Sequence, residues 1–366
     1  MASTAIPKTM KALTIHGKTA RLVLNRAVPS PRPDQLLVKV HSVALNPTDW
    51  KGVSRGAAKE DSLLGCDYAG TVVSVGNAVT KKFSPGDRIA GVAHGNNYSD
   101  ITDGAFAEYI TVKGDVQFHI PESLSFESAS TLALGLTTVD QGLFQKALKL
   151  NLPTNPTKNH EFVLIYGGSS ATGSLGIQFA KAAGYRVITT CSPRNFDFVK
   201  SLGVDKAFDY NSPTCAKDIN VYTDNKLKYA WDTISLPSSQ KIVAKALSSD
   251  GEGARSGTIL PEKLPRDDVT STSTFMYTIF GDAFVKGGKE FPASKEDHES
   301  AKTLLGIAEG MLKDGTLKPH PEKVGKGGLK GVLQGLLDLK NDKVSGAKLV
   351  YRVGETPGEE AEQSFA

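Results

Sequence analysis

From residue 8 to about residue 120, apolar residues come in short runs, many of them β-branched, each broken by Gly, Pro, Asn or Asp. The runs KALTIHG, RLVLNRAV, QLLVKVHSVALN, AGTVVSVG, DRIAGVA and AFAEYITV are strand-sized and predict a compact, strongly bent β domain. From about Leu124 the period changes. In SFESASTLALGLTTVDQGLFQKALKL the apolar residues fall at helical spacing behind Ser125, a candidate N-cap. NLPTNPTKNH breaks that pattern and reads as a surface loop. Beyond it, FVLIY, RVITTC, KAFDY and YAWDTIS read as strands. GSLGIQFAKAAG, NFDFVKSLG and PTCAKDINVYT lie between them as helices. Alternation at this spacing predicts a parallel sheet with crossover helices on both faces. SSDGEGARSGTILPEKLPRDD reads as a loop around one more strand, and TSTFMYTIFGDAF adds an apolar stretch. A long helix near KEDHESAKTLLGIAEGMLKDG, a helix LKGVLQGLLDLKND and a strand AKLVYRV complete the pattern. The acidic tail GETPGEEAEQSFA is expected to fray.

The length of 366 residues accommodates two domains, and 39% hydrophobic with 22% charged residues describes a soluble globular protein. A formal charge of +4 without any Lys/Arg run argues against a nucleic-acid groove or a membrane surface. The longest apolar runs are strand-sized, too short for a bilayer, and the start MASTAIPKTMKALTIHG has no apolar signal core. Cys66, Cys191 and Cys215 are odd in number and widely spaced, which fits a reducing, cytoplasmic compartment and buried, inert thiols. The seven histidines show no ligand or triad spacing.

Candidate chemistry begins at YGGSSATGSLG, where a strand passes into a helix. A nucleotide pyrophosphate needs close backbone approach and the free amides of a helix N-terminus. Gly167 and Gly168 can turn the chain, Ser169, Ser170 and Thr172 offer hydroxyls, and Gly173 permits tight packing. Glycine at such a junction is also common structural punctuation; the position at the first turn of a repeated strand–helix pattern favours nucleotide binding. The end of the next strand, TTCSPRNF, carries no acid for a ribose 2′-hydroxyl but has Ser192, Arg194 and Asn195. That set favours the 2′-phosphate of NADPH. An ordinary helix cap with a solvated Arg194 is the alternative reading.

The segments VALNPTDWKG, LLGCDYAGTVVSVG, FSPGDRIAG, DGAFAEY, GLTT, the glycine turn and VSGAKLVY together resemble the medium-chain dehydrogenase/reductase superfamily, from about Met10 to Val353. The resemblance implies an α/β architecture, a GroES-like β domain with an inserted Rossmann doubly wound parallel-sheet domain. The implied boundaries are 1–132 and 310–366 for the GroES-like domain and 133–309 for the NADPH-binding domain. Where zinc-dependent members carry metal ligands, this chain has Asn46 and Cys66-Asp67, with no further thiol nearby. Tetrahedral zinc needs about four ligands, so the resemblance is to the zinc-independent branch, with no metal. Within it, YGGSSATGS, TCSPRNFD, FDYNSP, YAWDTI, YTIFG and NPTDWK look most like the fungal trans-acting enoyl reductases of polyketide biosynthesis, the lovastatin type.

Carried over by residue, this resemblance implies the following roles. Asn46 and Pro47 border the nicotinamide, with Lys51 as catalytic electrostatic or proton-donating group. Thr138 orients nicotinamide or substrate and lies with Leu134 and Gly135 in the substrate segment. Ser170, Ala171, Thr172 and Gly173 take the pyrophosphate. Ser192, Arg194, Asn195 and Tyr210 surround the ribose and its 2′-phosphate. Tyr277, Thr278, Ile279, Phe280 and Gly281 line the acyl pocket, and Val344 and Ser345 face the nicotinamide end. Taken alone, Lys51 would read as a surface lysine, Tyr210 as a sheet-edge aromatic, and Phe275, Tyr277 and Phe280 as core. The implied activity is NADPH-dependent reduction of an α,β-unsaturated acyl thioester on a synthase carrier domain. A free quinone or enone reductase and a non-catalytic NADPH-binding protein remain open, as does a homodimer in place of the implied monomer.

Overall fold

The structure, a computed structural model, describes residues 6–56 and 58–366. Residues 1–5, the beginning of the stretch read as lacking a signal core, lie outside the described residues, as does residue 57. Two compact units divide the chain. The first comprises Met1–Leu134, Thr278–His298 and Pro319–Ala366, the second Gly135–Tyr277 and Glu299–Lys318. Thr278–His298 thus falls with the first unit, whereas the resemblance implied one unbroken insert over 133–309. The reason is aromatic packing: His94 stacks on Phe280 at 5.4 Å and meets Phe284 edge-on at 4.7 Å. The Val285 amide also donates to the Ser99 hydroxyl at 2.8 Å.

In the first unit the predicted strands form two sheets. Strand Gln35–Ala44 pairs antiparallel with Asp67–Val75, with Tyr109–Lys113 and with the returning strand Lys348–Arg352. A smaller sheet holds Thr9–His16 between Thr19–Ala27 and Ser62–Leu63. Leu36, Val38, Tyr68, Phe106, Ile110 and Leu336 are among the side chains of its shared core. The tail does not fray as expected. Ala361–Ser364 pairs with Thr19–Ala27, because Phe365, the one large apolar residue of the segment, is wholly buried. Its carbonyl accepts a hydrogen bond from the Ser54 hydroxyl at 2.7 Å.

The second unit carries the alternation predicted from sequence. Its six strands are all parallel, and by chain order their spatial order is third, second, first, fourth, fifth, sixth. The order reverses beside the first strand, Phe162–Tyr166, and such a switch point is where doubly wound sheets take ligands. Trp231, on the fourth strand Tyr229–Asp232, is fully buried, and a Cβ added at Gly142, Gly176 or Gly257 would collide with its indole. The expected helix after Ser125 is present but broken. Ser125 caps Phe126–Ala129, a second segment runs Ala133–Val139, and Asp140–Gln145 is a wider π-helical turn. The chain passes from the first to the second unit at Leu134/Gly135, inside that stretch.

Helices Pro47–Arg55 and Pro237–Ala246 have no counterpart in the sequence reading, and the second shows why. Its inward face is apolar at Val243, Ala244 and Ala246 but polar in the first turn, where Ser239 and Gln240 are buried because both donate to the Asp232 carboxylate, at 2.5 and 2.7 Å. A helix that buries hydrogen-bonded polar groups in one turn shows only a shortened apolar stripe.

Candidate active site

In the second unit the first strand is followed by Gly167, whose φ of 82° is open to glycine and strained for other residues. Ser170 then caps helix Ala171–Ala182, its hydroxyl accepting from the Gly173 amide at 2.9 Å. Gly173 is needed for close approach, since a Cβ there would lie 2.3 Å from the Gly167 carbonyl oxygen. This is a cradle of the kind a pyrophosphate fits: backbone drawn in close and helical amides at the exposed end. Ser170 also shares a 3.0 Å hydrogen bond with Thr233, so the turn is tied to the end of the fourth strand across the switch point. Thr233 is fixed in turn, donating to the Tyr166 carbonyl at 2.8 Å. Next to it, Asp232 accepts the Ile234 and Ser235 amides, both at 2.9 Å.

The end of the second strand, Arg186–Cys191, completes this region. Ser192 and Tyr210 share a hydrogen bond at 3.0 Å, and Asn195 donates to Ser169 of the glycine turn at 3.1 Å. Arg194 is solvent-exposed beside them. The structure therefore gathers Ser170, Ala171, Thr172, Gly173, Ser192, Asn195 and Tyr210 at the carboxyl ends of adjacent parallel strands, with no carboxylate among 192–195. Thr138 is buried on Ala133–Val139, and Gly135 packs against Leu175 of the glycine-turn helix. Tyr277 is buried beside Phe275, ring centroids 5.1 Å apart.

In the first unit, helix Pro47–Arg55 carries Lys51, and the helix begins with Asn46 as N-cap and Pro47 as its first residue. The Asn46 amide donates to the Asp49 carboxylate at 2.7 Å, and the Asn46 side chain donates to Asp67 at 2.9 Å. Asp67 also accepts the Leu134 amide at 2.7 Å and pairs with the Lys348 ammonium. Lys51 is half-buried, its ammonium 5.7 Å from the Trp50 ring centroid; burial, then the like charge of Arg55, lowers its pKa. In the segment 277–281 Thr278 donates to Asp297, and the Ile279 carbonyl hydrogen-bonds His298 Nδ1 at 2.8 Å. Phe280 lies on His94, and Gly281 takes a φ of 79°. Val344 packs against the core and Ser345 is exposed.

Asp49 is fully buried, and this raises its carboxyl to about 7; the nearby Asp67 carboxylate adds to the rise while the Asn46 amide opposes it. Unfolded, the same group ionises near 4. Its contribution to stability is therefore complete in acid and is lost as pH rises through about 7. Asp49→Asn keeps an acceptor for the Asn46 amide and removes the titration. Its stability relative to wild type should improve by on the order of a few kcal/mol between pH 4 and 7, then level off. Urea denaturation across that range checks this, and a difference independent of pH would refute it.

Lys348, Thr233 and Asp232 were not singled out from sequence, and Asp67 only as the residue standing where zinc-dependent members carry a metal ligand. The only signal was local, strand ends in GCDYAG, AKLVY and YAWDTIS, and their convergence is a tertiary property. Among the described residues, no group of three or more His, Cys, Asp or Glu side chains is arranged to hold a metal ion. All three cysteines are buried and unbridged. Among the described residues, no helix is long and apolar enough to cross a membrane.

Comparison with known proteins agrees with both units. Residues 32–122 match the alcohol dehydrogenase GroES-like domain, and residues 171–293 match the family described as zinc-binding dehydrogenase. A trans-enoyl reductase of Aspergillus sclerotiorum is 45% identical over 350 residues, covering 91% of this chain and 97% of its own. Another, from Alternaria alternata, is 42% identical and covers 94% and 99% respectively. An alcohol dehydrogenase superfamily protein of Novosphingobium aromaticivorans shares the fold with a TM-score of 0.76 at 23% identity, covering 94% of this chain and all of that one. With both domain types in place and such likeness along nearly its whole length, the chain belongs to the trans-enoyl reductases of the medium-chain dehydrogenase/reductase superfamily.

Proposed function

We propose that the protein reduces the carbon–carbon double bond of α,β-unsaturated acyl thioesters carried by a polyketide synthase, working in trans as a monomer in the cytoplasm with NADPH. The observation that carries the cofactor choice is the acid-free cluster of Ser192, Asn195 and Tyr210 next to the glycine turn, with Arg194 exposed beside it. A carboxylate there would repel a 2′-phosphate; hydroxyl, amide and guanidinium donors suit it. The turn at Ser170–Gly173 would receive the pyrophosphate. The thioester is supported by the enoyl-reductase relatives.

When bound, NADPH supplies the hydride that reaches Cβ. The protein's part is to align the acyl chain, to stabilise the negative charge that then develops on the thioester oxygen, and to let a proton reach Cα. Lys51 is suited to the charge or the proton because burial and Arg55 make its ammonium a readier proton donor than an ordinary lysine. Thr138 supplies an orienting hydroxyl. Tyr277 with Thr278, Ile279, Phe280 and Gly281 offers an aromatic and aliphatic lining for the acyl chain.

Cofactor oxidation, followed at the nicotinamide absorbance band, tests this with an α,β-unsaturated acyl-pantetheine thioester, a quinone and a free enone. Turnover on the thioester with NADPH preferred over NADH is expected. Arg194→Ala should lower the NADPH-to-NADH ratio of kcat/KM about tenfold or more, the scale of one charge-assisted contact. Turnover confined to quinone or enone would reassign the substrate. Tight NADPH binding without turnover would make the protein a cofactor-dependent binder.

A further inference from the structure

We propose that the buried Asp67–Lys348 ion pair is the positioning element that holds the cofactor- and acyl-facing segments of the first unit at one point. The inference rests on the reading of Asn46, Leu134 and Val344–Ser345 as cofactor and substrate contacts. Asp67 opens the strand Asp67–Val75 and has no solvent exposure; Lys348 opens Lys348–Arg352 and is 4% exposed. One carboxylate oxygen accepts the Leu134 amide at 2.7 Å. The other accepts the Asn46 side-chain amide at 2.9 Å and the Lys348 ammonium. Lys348 donates also to the Thr131 carbonyl at 3.4 Å, in the turn that leads to Leu134.

Three chain segments remote in sequence thus meet on a single side chain. The first is the cap of the Lys51 helix, and the second is the start of the substrate segment. The third is the strand that follows Val344–Ser345. A carboxylate offers about four lone-pair directions, enough for these three donors at once. Burying two charges is costly, and a well-packed apolar pair can be equally stable. What the ion pair adds is direction: each donor must point at the same carboxylate, so the three segments cannot shift independently. A displacement of about 1 Å in such a supporting shell can slow chemistry about 100-fold. Asp67 and Lys348 act through Asn46 and Leu134 and are positioning residues.

The test is the double variant Asp67→Asn with Lys348→Met, which removes both charges and leaves no orphaned ion in the core. Four quantities are read on wild type and variant: NADPH affinity from nicotinamide fluorescence, KM for the acyl thioester, kcat, and the primary isotope effect with 4-deuterated NADPH. A folded variant is expected with kcat lowered about 100-fold, NADPH bound about tenfold more weakly, and a larger isotope effect as hydride transfer becomes limiting. If the double variant does not fold, Lys348→Arg keeps the cation but shifts the donor. It is expected to fold, with the same isotope effect change and about a tenfold loss of kcat. A folded variant with wild-type kcat and isotope effect would overturn the inference. So would activity that falls only in step with the folded fraction while the isotope effect stays constant. A wild type that binds NADPH but never reduces the thioester would instead refute the functional reading, and the inference with it.

Discussion

Lys51→Met should lower kcat for the acyl thioester about 100-fold or more while leaving NADPH affinity nearly unchanged. Methionine keeps much of the side chain's length and its packing beside Trp50 while removing the charge. The helix that presents residue 51 is pinned independently of it, by the Asn46–Asp49 hydrogen bond at one end and by the left-handed Gly56 at the other. The substitution therefore probes chemistry rather than folding. Charge stabilisation or proton donation by a single group contributes about 10²- to 10⁴-fold. Lys51 must be protonated for either role, so wild-type kcat should fall as pH rises through its pKa. Burial and Arg55 set that limb below the ordinary lysine value. Lys51→Arg, which stays cationic, should abolish the limb over the same range while keeping part of the rate. Retention of kcat within about threefold in Lys51→Met would remove the residue from the chemistry.

Those features that depend on local pattern were legible in the chain. Alternating FVLIY and RVITTC runs with amphipathic segments between them lead to a parallel sheet for simple steric reasons, and the second unit has one. Ser125 as a cap and the turn at Gly167 were legible for the same reason, since each is a requirement of a few adjacent residues. Three kinds of feature were not. Helix Pro237–Ala246 buries Ser239 and Gln240 against Asp232, so the first turn of its inward face reads as outward. The tail's acidic residues read as solvent-facing, whereas one residue, Phe365, decides its fate by being buried in the core of the first unit. The Asp67–Lys348 pair joins positions separated by 281 residues, and no spacing rule reaches that far. The meeting of glycine turn, second-strand end and Tyr210 was legible because it is local: the three follow within one repeated pattern. The polar framework beneath the Lys51 helix was not, because its members become neighbours only once Asp67–Val75 and Lys348–Arg352 have joined one sheet on either side of Gln35–Ala44.

The glycine turn gives the other large effect. Gly173→Ala places a Cβ 2.3 Å from the Gly167 carbonyl oxygen and 2.9 Å from the Gly168 Cα. Both are backbone atoms, so no rotamer change relieves the contact; the helix and the strand end must separate. Overpacking of this kind costs about 1–3 kcal/mol of stability. The same separation moves the amides of the first helical turn away from where a pyrophosphate would sit and disturbs the Ser170–Gly173 cap. NADPH affinity should therefore fall tenfold or more, and KM for NADPH should rise with it, while KM for the acyl thioester changes little. Gly306→Ala is the matched control. That glycine lies within helix Lys295–Lys313 with nothing within 4 Å of an added Cβ. Alanine there should stabilise the protein by up to about 1 kcal/mol through helix propensity and leave NADPH binding untouched. The pair isolates contact from composition, since both exchange a helical glycine for alanine within the same unit. Equal effects of the two substitutions on NADPH affinity, measured by fluorescence titration, would mean that close approach at residue 173 is not what the nucleotide requires.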